Sequence, residues 1–141
     1  MIAIIRTTWA VSAASYAADN GVSEGDVFRE LGWYISSSIN DLPAMADSGA
    51  WARCLPTPNM PAPDGQAKVR IDWQVEVRAA AWLQARELHR CSARRDLCGY
   101  LTHELYHLPS ICETDAIMTV TYNDGHGKVH RTFRPADRRR A

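Results

Sequence analysis

The stretch KVRIDWQVEVR, residues 68–78, alternates without a break: Val69, Ile71, Trp73, Val75 and Val77 take one set of positions, Arg70, Asp72, Gln74 and Glu76 the other. A strand turns successive side chains to opposite faces, so this period of two demands a sheet with one covered face and one wet face. The apolar set has to be buried against other elements, and a chain of 141 residues has room for one core in one domain.

Helices are the expected cover. Residues 8–38 read as helix in two pieces, broken at Asn20-Gly21, where both residues favour a helix end and Ser23 can cap the next piece. The second piece, residues 24–39, sets Val27, Leu31, Tyr34 and Ile35 along one stripe. AAAWLQARELHRC (residues 79–91) and DLCGYLTHELYHL (residues 96–108) read as two more helices, with Pro109 stopping the second. Beyond it, AIMTVTY and KVHRTF flank the turn-rich NDGHG and predict a β-hairpin. Residues 41–66 hold five of the seven prolines and read as a long surface loop pinned by Trp51 and Cys54. The expectation is a single α+β domain over residues 1–134, with a helical N-terminal half, one long strand, a motif-bearing helix and a C-terminal hairpin. Residues 135–141, PADRRRA, are expected to form a flexible basic tail.

Composition removes several classes. The chain is 46% hydrophobic and 23% charged, which fits a globular protein rather than a disordered one. No apolar run approaches the roughly 20 residues that span a bilayer, and the apolar start is cut by Arg6 with no basic region before it. The expectation is a cytoplasmic chain with no membrane partner, whose four cysteines are buried thiols or metal ligands before they are disulfides. Formal net charge is zero. Ala17, Gly21 and Val27 have the spacing of a helix-turn-helix unit, but Asn20 and Glu30 stand where apolar residues are usual, and residues 24–30 carry three acids against one arginine. Nucleic acid is therefore an unfavoured partner.

Chemistry concentrates in YLTHELYHL, residues 100–108. On a helix His103 and His107, four apart, share a face and can offer two imidazoles to one ion, while Glu104 stands beside them as a base for metal-bound water. The order H-E-x-x-H, in a segment whose only acid is Glu104, resembles the active-site helix of the zincin metallopeptidases. That resemblance implies Zn2+ on His103 and His107, Glu104 as the general base, and a protein or peptide substrate. NDGHGKV resembles the segment that supplies the third histidine in SprT-like zincins, which implies His126 as the third metal ligand; Glu113, six residues after His107, competes for that role at the metzincin offset. SprT-like proteins commonly carry a zinc ribbon after the peptidase core, and the sequence given has none. By the same resemblance the strand at residues 69–77 is the edge that would hold an extended substrate, and Tyr122 or His130 would stabilise the oxyanion.

Two other readings use the same residues. Cys91, Cys98, His103 and His107 have the composition of a structural Cys2His2 zinc site, although on an unbroken helix Cys98 faces away from both histidines. Alternatively the HExxH order is accidental and the chain is a binding, inhibitor or assembly protein. Small phage tail-terminator and head-completion proteins have a comparable run of elements, a long alternating strand followed by helix and terminal hairpin.

Overall fold

The computed structural model describes residues 1–55 and 65–135, apart from the side chain of Cys112. Five strands, β1 (Ile2–Ser12), β2 (Trp51–Leu55), β3 (Gln66–Glu76), β4 (Ile117–Asn123) and β5 (Lys128–Phe133), form one antiparallel sheet in the order β2-β3-β1-β4-β5. Helices α1 (Ala13–Asn20), α2 (Val27–Ser38) and α3 (Pro43–Ser48) connect β1 to β2, and α4 (Ala79–Ala85), α5 (Ala93–Tyr106) and α6 (Pro109–Cys112) connect β3 to β4. Strands β1 to β4 with their two helical connections follow the β-α-β-β-α-β order of the split βαβ arrangement, and β5 extends the sheet beyond β4. The α+β expectation holds in this general form.

Residues 8–12, expected in a helix, instead finish the long strand β1, which lies at the centre of the sheet. Ala3, Ile5, Thr7, Trp9 and Val11 are buried, and β1 pairs along its whole length with β3, from Ile2 opposite Glu76 to Ser12 opposite Gln66. Its β-branched residues suit the pleat, and the Ala-rich run that suggested a helix becomes α1 directly afterwards. Ser12 ends the strand and caps the helix, its side chain accepting the Ser15 N–H at 3.3 Å. Gly21 closes α1 in the left-handed conformation, φ 67°.

The remaining expectations fare unevenly. Val27, Leu31 and Ile35 form the buried stripe of α2, each contributing about 1.5–3 kcal/mol by leaving water. Residues 41–55 are not loop: Pro43 opens α3, and β2 pairs with β3 from Trp51 opposite Glu76 to Leu55 opposite Asp72. Trp51 and Cys54 are exposed there, and Met45 and Ala52 do the pinning. Residues 56–64 of the proline-rich stretch, and 136–141 of the basic tail, lie outside the described residues. The strand expected over residues 69–77 is present, but β1 pairs with it on one side and β2 with residues 72–76 on the other, so over those residues it is no edge on which a substrate could add. The helix expected over residues 79–91 stops at Ala85, with Glu87 and Arg90 in left-handed conformations before α5 begins.

The core lies between one sheet face and the helices. Trp9, Trp73, Met118 and Val120 from the sheet meet Leu31 and Ile35 of α2, Trp82 of α4, and Leu97, Leu101 and Leu105 of α5. The buried Trp9 indole donates to Thr7 Oγ1 at 3.0 Å, which in turn donates to the Ile71 carbonyl at 3.0 Å. The opposite face is open, and at its centre Asp72 receives Arg6 at 3.3 Å and Arg70 at 3.0 Å.

Candidate functional site

Helix α5 carries most of the residues that the sequence singles out. Ser92 caps it by accepting the Arg95 N–H, and Leu97, Cys98, Leu101, Thr102, Leu105 and Tyr106 turn inward. The outer side includes Ser92, Arg95, Asp96, Gly99, Tyr100, His103 and Glu104. These residues floor a groove of about 740 Å³. Its other walls are Arg86, Leu88, Arg90 and Cys91 from the α4–α5 connection and His126 from the β4–β5 turn.

His103 and His107 do meet. Their rings stack with centroids 4.2 Å apart and planes inclined by 26°. Helix α5 ends at Tyr106, however, so His107 is its C-cap, and His107 Nδ1 lies 2.7 Å from the His103 carbonyl, to which a protonated Nδ1 donates. Each ring could offer Nε2 to an ion. Glu104 Oε1 sits 3.7 Å from His103 Nδ1.

The third ligand is not brought to this pair. His126 shares the groove with His103 and Glu104, whereas His107 is not among the groove-lining residues. Glu113 is exposed beyond α6. Among the described residues no group of three His, Cys, Asp or Glu side chains is placed to hold a metal ion. A catalytic zinc needs three protein ligands and an open fourth position, so His103 and His107 supply only part of such a set. The Cys2His2 alternative fails on burial: Cys98 is in the core, its thiol pushed up to about 11 chiefly by burial, while Cys91 is exposed at the groove. Tyr122 points into the core, where burial raises its hydroxyl, and His130 lies on the open sheet face with Nδ1 2.9 Å from Thr121 Oγ1. Neither lines the groove.

The groove owes its shape to an ion pair that sequence reading missed. Asp96 accepts the Trp82 indole N–H and Arg86 Nε–H on one oxygen, each at 2.9 Å, and this partnership raises the Arg86 guanidinium further. The Arg86 guanidinium carbon stands 4.5 Å from the centre of the Tyr100 ring, and Tyr100 in turn meets Trp82 edge-on at 5.5 Å. The Tyr100 hydroxyl accepts the Ala44 N–H, tying α3 to α5. The one sequence signal for this arrangement is the density of arginine around it, with Arg86, Arg90, Arg94 and Arg95 within ten residues. In the β4–β5 turn, Asp124 accepts the backbone N–H groups of His126 and Gly127, and these bonds hold its carboxyl below the usual range.

No family model matches the chain, and no curated protein or solved structure matches it either.

Proposed function

We propose that this chain is a non-catalytic assembly or binding module that works through the open face of its sheet. The observation that carries the reading is where the apolar exposure falls. Of the four large hydrophobic side chains exposed among the described residues, Ile2, Ile4 and Trp51 belong to outward positions of the sheet, and Trp33 lies on α2. Register puts Ile2, Glu76 and Trp51 in one row across β1, β3 and β2, and Ile4, Gln74 and Arg53 in the next. Trp51, Arg53, Gln74 and Glu76 also line a shallow depression of about 230 Å³. Exposed apolar side chains interspersed with polar ones on one sheet face suit a protein contact, whose area as a whole is of mixed polarity. The run from β3 through α4 and α5 to the β4–β5 hairpin also keeps the element order shared with small phage tail-terminator and head-completion proteins, a likeness of order alone.

Sedimentation velocity over a concentration series, wild type beside Ile4→Glu/Trp51→Glu, tests the reading. Concentration-dependent assembly that the variant loses, with unchanged circular dichroism and thermal midpoint, is the expected result. A wild type that stays monomeric and behaves identically to the variant, alone and with candidate partners, counts against it.

A second reading keeps the zinc peptidase, and the observation in its favour is that His103, Glu104 and His126 share one groove. His103 and His107 would bind the metal, which would supply an activated water, and Glu104 would take that water's proton. About one equivalent of zinc in protein purified without added metal, lost in His103→Ala, together with peptide cleavage lost in Glu104→Ala, would transfer the conclusion to this reading.

A further inference from the structure

The groove beside α5 has a charge balance and a floor that the assembly reading does not use. Asp96, one of its two acids, is spent on Arg86 and Trp82. Arg90 and Arg95 line the same groove and form no salt bridge among the described residues, although Arg95 acts electrostatically on Asp124. Glu104 is the remaining acid, at the end where His103 stands.

The floor is Gly99, in the interior of α5. A glycine there destabilises the helix relative to alanine. Nothing within the protein requires it, because a Cβ at Gly99 would meet no atom within 4 Å. The missing side chain leaves bare helix backbone as the base of a groove of about 740 Å³, a size that accommodates a small molecule.

We propose that this groove binds a small molecule through an oxyanion, a phosphate or a carboxylate. Arg90 and Arg95 take the anionic group, since guanidinium groups match both geometries. The body of the ligand lies over Gly99 towards Tyr100, whose ring is already fixed by Arg86.

Cys91, exposed in the groove, and Cys54, exposed beside α2, provide the readout. Alkylation by iodoacetamide is followed at both thiols by peptide mass spectrometry, at constant ionic strength, with inorganic pyrophosphate, citrate or sodium chloride added. Pyrophosphate or citrate should slow Cys91 saturably while Cys54 keeps its rate. Protection by pyrophosphate alone identifies the oxyanion as phosphate, and by citrate alone as carboxylate. Arg90→Ala/Arg95→Ala should weaken protection about a hundredfold, by the loss of two charge-assisted hydrogen-bonding groups. Gly99→Ala should raise the thermal midpoint by about 2–5 °C while weakening protection, a split that a purely structural glycine would not give. Protection no greater than sodium chloride gives, or undiminished in the arginine variant, overturns the proposal.

Discussion

The two faces of the sheet are built from the same strands, residue by residue, and are opposite in character. The covered face is apolar almost throughout, with Ile5, Trp9, Trp73, Val75, Met118 and Val120 nearly or wholly removed from water. The open face sets Ile2 and Ile4 beside a charged centre in which Asp72 is shared by Arg6 and Arg70. Burial makes the first face the source of stability, whereas the second can change composition at little cost to the fold and is therefore free to carry a contact.

The sharpest break of this contrast is a pair of truncations. Trp73→Ala should lower stability by about 3–5 kcal/mol, by losing a buried ring and leaving a cavity. Ile4→Ser on the same sheet should stay within about 0.5 kcal/mol. Urea denaturation of both reads the difference, and near-equal losses would mean that the open face is covered in the folded protein. Helix α5 gives a kinetic version of the same test. Cys98, buried and held up to about 11, remains a protonated thiol at neutral pH, so its alkylation should run slower than that of exposed Cys91 by at least about two orders of magnitude.

Asp72 sharpens the comparison from the polar side. Its side chain is 8% exposed while Arg6 and Arg70 are 58% and 40% exposed, so water screens the pairs. Asp72→Ala should cost about 1 kcal/mol, well below the Trp73 truncation and above Ile4→Ser, and less in high salt. The smallest expected effect is at the hairpin turn. Backbone hydrogen bonds lower the Asp124 carboxyl below its ordinary 3.8. A carboxyl lowered on folding stabilises fully above its unfolded value and loses that contribution as pH falls through the folded one. Acid melts should therefore show a small destabilisation that begins as pH falls through the ordinary carboxylate value of 3.8 and is absent from Asp124→Asn.

Legibility followed local pattern strength. The alternation of residues 69–77 placed Val69, Ile71, Trp73 and Val75 of β3, the spacing of Val27, Leu31 and Ile35 placed the face of α2, and NDGHG placed the hairpin turn. β1 is hard to tell from helix because its alternation, Ala3 to Val11, runs without a turn signal into the alanines of α1. β2 was lost among prolines, since five paired residues are too few to stand out. At the candidate site, the i, i+4 approach of His103 and His107 was legible because one helix sets it. The third ligand was not, because the place of His126 depends on how the β4–β5 turn sits against α5.

By itself, then, the sequence determined the quantities that act over a few residues: the period of β3, the stripe of α2, the end of α1 at Asn20-Gly21, and the alignment of two histidines on one helix. Tertiary structure decided which strand lies inside the sheet and which at its edge. It also decided which acid is consumed by which arginine, and that the groove lined by His103, Glu104 and His126 is not lined by His107. The physical reason is range. Backbone geometry fixes neighbours three or four residues apart without help, but residues twenty or a hundred apart meet only when burial of a shared core brings their elements together.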